Sequence, residues 1–138
     1  MDSLADIESI KQLKSRYFRF LDNKQWDQWR LCFSDDFSAV YEGPHPDIEF
    51  KSAEELVEKL RTALAEVPTV HQGHTSEITV TSGDTATGIW SMYDRVVSPQ
   101  SSFEGWGFYH EQYRKVDGEW KISHLRLKRL LISPLAGE

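Results

Sequence analysis

Four side chains in this sequence put a reactive group where a plain scaffold would not need one. Asp22 ends a helical pattern whose apolar residues, Ile7, Ile10, Leu13, Tyr17, Phe20 and Leu21, define one sticky face. A carboxylate delivered from such a face is costly unless it is paired or used. The plain alternative is a surface residue that ends one helix or caps the next. His71 opens a stretch rich in β-branched residues, and its neutral imidazole is the most usable general base near pH 7. A histidine at a strand start can also be purely structural. Asp94 lies in GIWSMYDRVV, where period two puts Trp90, Met92 and Asp94 on one face and Tyr93 and Arg95 on the other. There it either donates a proton or grips a hydroxyl, or it pairs with an arginine of the last strand. Tyr17 offers a phenol that can polarise a leaving hydroxyl or a developing oxyanion, unless it is core with its hydroxyl at the rim.

A base needs an orienter. Asp22 could hold one ring nitrogen of His71 and stabilise the imidazolium formed on proton uptake. Around these groups stand candidates for substrate contact. Trp90 and Met92 share the face of Asp94, and Tyr109 shares parity with Gly105 and Gly107, which would leave room for a ligand or mark bends in a sheet. In the closing ISHLRLKRLL, Leu125 and Leu127 fall on one face with Arg129, while His124, Arg126 and Lys128 fall on the other. One bulge would swap the two sets, so Arg129 and Arg126 both stand as cavity cations, against an exposed or subunit-facing surface. His74 opens a metal reading with His71 and an aspartate, but positions 71 and 74 of an extended strand point to opposite faces.

The elements that must position these residues are legible in outline. A helix capped by Asp2 or Ser3 runs to about Leu21, and a short one spans Trp26 to Cys32. Phe37 to Tyr41 alternates as a first strand, and Glu42 to Phe50 is a loop or irregular hairpin. A third helix opens at Ser52, where Glu55 completes a capping box, and ends at Pro68. Four strands follow at hairpin spacing, Val70–Thr81, Thr85–Val97, Gly105–Val116 and Glu119–Ile132, the last turn being Asp117-Gly118. Helices first and a meander afterwards predict an α+β fold: a cone-shaped, curved antiparallel sheet whose concave face the N-terminal helices close. A pocket between helix and sheet is the natural ligand site.

Composition narrows the partners. The 138 residues make one domain with one core. A formal charge of −6 with no basic cluster argues against nucleic acid, and no apolar run reaches the length of a membrane span. The N-terminus is no signal peptide, and the single Cys32 fits a reducing, cytoplasmic setting. Signatures of zinc, nucleotide and dinucleotide sites are absent from the sequence.

With its order of elements, the DGEW turn and the closing HLRLKRL, the chain resembles the SnoaL-like branch of the nuclear transport factor 2-like superfamily, with a cystatin-like fold. Three patterns are similar: scytalone dehydratase, bile acid 7α-dehydratase and hexachlorocyclohexane dehydrochlorinase, lyases that need no cofactor. Asp22 follows Ile10 by twelve residues and His71 precedes Asp84 by thirteen, as the catalytic aspartate and histidine of the dehydrochlorinase do. Tyr17, five residues before Asp22, and Asp94 on the next strand match the bile acid dehydratase. The chain departs from the dehydrochlorinase in carrying Tyr17 for a lysine and Leu125 for an arginine, which leaves the cation to Arg126 or Arg129. Scytalone dehydratase has a second strand histidine; His110 is nearest, with the wrong parity.

The resemblance implies a cofactor-independent lyase acting on a hydrophobic aromatic or polycyclic alcohol. His71 and Asp22 form its base, and Tyr17 and Asp94 assist the leaving group. Water loss, or loss of formaldehyde from an aromatic diol, fits that base. A sheet of this type exposes a broad half-apolar outer face that predicts a homodimer, and trimers among the lyase relatives leave the homo-oligomer at dimer or trimer. A ketosteroid-isomerase-like proton shuttle through Asp94 and Tyr17, and a non-catalytic small-molecule-binding module, are the alternatives. The lyase requires Asp22 and His71 within hydrogen-bond reach beside an open cavity.

Overall fold

The computed structural model describes residues 3–135. The elements are α1 (Ser3–Asp22), α2 (Trp26–Arg30), β1 (Phe33–Glu42), β2 (Ile48–Phe50), α3 (Ala53–Leu64), β3 (Thr69–Val80), β4 (Thr85–Val97), β5 (Ser102–Val116) and β6 (Glu119–Pro134). Ser3 is the first helical residue, and Asp2 lies outside the described residues. The expected α+β cone is found, with helices against one face of a curved, unclosed sheet of order β2-β1-β6-β5-β4-β3. One pairing was not foreseen. β1 runs parallel to β6, because α3 and the meander carry the chain around the sheet before β6 returns beside it. Within the stretch read as a loop or irregular hairpin, the hairpin alternative is realised: β2 lies antiparallel to β1.

Local chemistry explains where the elements begin and end. Ser52 caps α3 by accepting from the Glu55 N–H at 3.1 Å, and the Glu55 carboxylate accepts from the Lys51 N–H. Asp117 and Gly118 both hold positive φ, 51° and 80°, as a tight turn between twisted strands demands. α1 ends in a reversal around Lys24, whose φ is 59°. There the Gln25 N–H reaches the Phe20 carbonyl at 2.8 Å and the Lys24 N–H the Leu21 carbonyl at 3.1 Å, the pattern of a Schellman cap. Glycine usually fills that position. Here the Lys24 ammonium donates to Thr69 Oγ1 at 2.8 Å, so the cap also ties α1 to the start of β3.

The core fills the space between the helices and the concave sheet face. Ile10, Leu13, Tyr17 and Leu21 of α1 meet Trp29, Phe33, Phe37, Ile122 and Leu125, all essentially buried. Full burial of each large apolar side chain contributes about 1.5–3 kcal/mol. Rings interlock edge to face, with Trp29 and Phe33 centroids 5.0 Å apart and Tyr17 and Phe33 5.9 Å apart. Lys14 is equally buried on this face of α1, at a stripe position four residues after Ile10 where its charge removes it from an apolar count.

Candidate active site

A cavity of about 180 Å³ opens between α1, α3 and the sheet. Leu21, Leu60, Leu64, Val96, Phe103 and Leu127 supply its apolar wall. Its polar groups are Tyr17, Tyr41, His71, Asp94, Tyr109 and Arg129. Two larger depressions lie elsewhere: about 520 Å³ between α1 and the β5–β6 turn, and about 710 Å³ between α2 and α3. Both are surface grooves lined mainly by polar and charged side chains, and neither gathers a base with its orienter. The chemistry therefore points to the smaller cavity, where few polar groups converge in an apolar wall.

Strand register assembles that cavity. His71 of β3 faces Asp94 of β4, which faces Gly105 of β5. One step along the sheet, Tyr109 faces Leu127, which lies beside Tyr41 of β1. The expected parity of β6 holds for residues 124–129, because its two extra residues, Ser123 and Leu130, fall on either side of that run.

Asp22 touches His71 twice. Its Oδ1 lies 2.7 Å from His71 Nδ1, and its Oδ2 accepts the His71 main-chain N–H at 2.8 Å. Oδ1 also accepts from Thr69 Oγ1 at 2.9 Å. An ionised carboxylate only accepts, so Nδ1 carries the ring hydrogen and Nε2, on the opposite side of the ring, holds the lone pair. The Schellman cap fixes where Asp22 ends α1, and the main-chain bond fixes the height of His71 against it. Thr69 and Lys24 stand behind this pair. Neither was singled out in the sequence, where nothing distinguishes them from ordinary surface residues.

Asp94 is held otherwise. Arg129 grips it with two parallel bonds, Nη1 to Oδ1 at 2.9 Å and Nη2 to Oδ2 at 2.7 Å, and both side chains are nearly buried. The ion-pair alternative is thus the one realised, with Arg129 as the cavity cation. Arg126 is not: it points to the other face and pairs with Glu42. Gly105 makes room for this pair rather than for a ligand, since a Cβ there would overlap Arg129 Nη1 and Asp94 Oδ1. Trp90 and Met92 share the inward face of β4 as expected but do not line the cavity. They lie further along the strand, where the Trp90 indole donates to Tyr113 Oη at 2.9 Å and its ring would meet a Cβ at Gly73. Periodicity gives the face of a residue and not its depth along the cone.

Three phenols complete the cavity. Tyr17 and Tyr109 are buried, and burial pushes both hydroxyls well above their ordinary value, so they stay protonated as donors. Burial likewise raises Tyr41, opposed by nearby Arg129 and by a hydrogen bond with Tyr17. Sequence places Tyr41 only at the end of an alternating first strand, and its place at the site comes from the β1–β6 pairing. His74 is exposed, and among the described residues no three histidine, cysteine, aspartate or glutamate side chains converge as metal ligands. No described helix is long and apolar enough to cross a membrane.

The family model described as SnoaL-like domain matches residues 2–126. A probable cyclase of Gibberella zeae, FGR4, is 26% identical over 136 residues, with 88% of this chain and 89% of that one covered. The hexachlorocyclohexane dehydrochlorinase LinA-type3 from Novosphingobium barchaimii LL02 superposes with a TM-score of 0.81 at 24% identity, covering 98% of this chain and 93% of that one. The Kfla4162 protein from Kribbella flavida does so with a TM-score of 0.84 at 19% identity, covering 96% and 95%. At these identities the two structures speak for the fold.

Proposed function

The chain belongs to the SnoaL-like domain family, and from that premise and its cavity we propose a cofactor-independent lyase acting on a hydrophobic aromatic alcohol. The observation that carries the reading is the 2.7 Å contact of Asp22 with His71 beside a largely apolar cavity. His71 Nε2 takes a proton from carbon, the freed electron pair forms a double bond to the neighbouring carbon, and the C–O bond there breaks. The departing hydroxide takes up a proton, so water leaves and the enzyme is restored. In an aromatic diol the same base can instead take the proton of a terminal hydroxymethyl group. The C–C bond then breaks, formaldehyde leaves, and the electron pair expels the benzylic hydroxyl as water. Tyr17 and Tyr109 donate to the oxygen that gains charge. Asp94, already engaged by Arg129, acts as an anchor for that guanidinium rather than as an acid.

The cavity also bears on substrate size. About 180 Å³ is below the roughly 300–1,000 Å³ of sites for drug-sized ligands and close to the ~150 Å³ that holds benzene. It favours a substrate that inserts one substituted ring over a polycyclic alcohol. An isomerase using Asp94 as base would first have to strip it from Arg129. A binding module would leave the Asp22–His71 contact without a task.

The test is a turnover screen of purified protein without added cofactor. Single-ring aromatic diols and alcohols stand beside hydroxylated steroids and scytalone-like polyketides, each assayed with wild type, Asp22→Asn and His71→Ala. We expect turnover of a single-ring substrate by the wild type alone, with both variants folded. Full activity in both variants would remove the dyad from the reaction.

A further inference from the structure

One strongly polar group has no part in the chemistry above. Lys14 is fully buried in the first helix and pairs with Glu111 of β5, also buried, at 2.6 Å. Glu111 in turn accepts from Tyr113 Oη at 2.6 Å, and Tyr113 Oη accepts from the Trp90 indole at 2.9 Å. As scaffolding this is an odd choice, because an apolar pair of the same volume fills such a space at no desolvation cost. What distinguishes it is where the cation lies. Lys14 Nζ is 3.7 Å from the centroid of the Tyr17 ring and 3.8 Å from that of Tyr109. Those two rings, 6.3 Å apart and nearly perpendicular, line the cavity.

We propose that Lys14 is a positioning residue: clamped between Tyr17 and Tyr109 and held by Glu111, its ammonium strengthens both phenols as donors to an anionic substrate oxygen. The proposal rests on the lyase reading for the identity of that oxygen. A cation on a ring face is attracted to the π-electrons, and more so once desolvated. As a phenol gives its hydrogen toward an anion, negative charge builds on its own oxygen and ring, which the ammonium then stabilises. Burial first, and the nearby Glu111 carboxylate with it, makes both hydroxyls reluctant to share their protons. A buried cation behind them offsets that reluctance without reaching the substrate. The Glu111 charge works against the cation, softened by the hydrogen bond its second oxygen accepts from Tyr113.

The experiment uses two ring probes of one shape, p-nitrophenolate and neutral p-nitroaniline, bound at a mildly alkaline pH where the first is ionised. The wild type should bind the anion more tightly than the neutral probe. In Lys14→Met/Glu111→Leu, which removes both charges and keeps the volume, that preference should drop about tenfold. The affinity for p-nitroaniline and the near-UV circular dichroism should stay unchanged. In Glu111→Gln, where the cation loses its counter-charge, the anion preference should rise. Turnover should show the double variant losing kcat with KM nearly constant. An unchanged anion preference in the folded double variant overturns the proposal and leaves the pair a packing element. If the double variant does not fold, an unchanged or weaker preference in Glu111→Gln overturns it equally. A wild type that binds neither probe overturns the aromatic cavity and this proposal with it, whereas binding indifferent to charge overturns the proposal alone.

Discussion

Replacing Asp22 by Asn changes one atom and, on this geometry, the tautomer of the base. The wild-type carboxylate accepts three hydrogens, from Thr69 Oγ1, from the His71 main chain and from His71 Nδ1. An amide offers one oxygen and one NH₂. If the oxygen keeps the main-chain N–H, the NH₂ faces Nδ1, which must then accept, and the ring hydrogen moves to Nε2. The lone pair that faced the cavity is gone. If the amide turns over, Nδ1 keeps its hydrogen, but the NH₂ confronts the main-chain N–H and one bond is lost at a cost of about 1–3 kcal/mol. Either way the charge that would stabilise the imidazolium is removed. General-base catalysis contributes about 10²–10⁴ in rate, so kcat should fall about 10³-fold, which is about 4 kcal/mol of barrier. Folding stability should change by only about 1–2 kcal/mol, because at most one hydrogen bond of a partly exposed pair is lost. His71→Ala should lose a similar factor, and the double variant no more, since the two act as one unit. Long-range nitrogen–proton NMR reads the tautomer of His71 without any substrate. A kcat within tenfold of wild type, or losses in the two single variants that simply multiply, would refute the reasoning.

Other expectations concern the scaffold. Gly105→Ala pushes a methyl into Arg129 and Asp94; breaking that nearly buried pair should lower stability by about 3 kcal/mol, and an unchanged thermal melt would show that the sheet absorbs the methyl. Burial pushes the Cys32 thiol up to about 11, so a thiol reagent at neutral pH should label it only as fast as the protein unfolds. Rapid labelling of the folded protein would contradict the packing of α2. Asp6 accepts from the Trp120 indole at 3.0 Å and pairs with Lys115 at 3.0 Å, and these bonds hold its carboxyl below its ordinary value of 3.8. A depressed acid stabilises the fold above its unfolded pKa and loses that contribution as pH falls through the folded one. The melting-temperature gap between wild type and Asp6→Asn should therefore persist at neutral pH and close below the ordinary value; a gap independent of pH would point to the indole contact alone.

Much of this molecule is determined by sequence periods of 3.6 and 2. The apolar stripe of α1, the Ser52–Glu55 cap and the Asp117-Gly118 turn are local, and local chemistry is written in adjacent residues. The inward facing of Asp94 follows from parity alone, as does the sharing of one face by Leu125, Leu127 and Arg129. The resemblance placed Asp22 and His71 as partners, and the chain does bring them within hydrogen-bond reach. Tertiary structure decided what parity leaves open. Two inward residues on one strand share a face yet differ in depth, so Asp94 reaches the cavity while Trp90 and Met92 lie further along the strand. Which arginine meets Asp94 depended on extra residues at Ser123 and Leu130, which a sequence does not display. Tyr41 entered the site because β1 pairs in parallel with β6, a contact between strands far apart in the chain. Lys14 was hidden among apolar neighbours because its partner, Glu111, is brought to it by the packing of α1 on β5. A buried charge is recognisable once its counter-charge is in place, and that pairing is made in three dimensions.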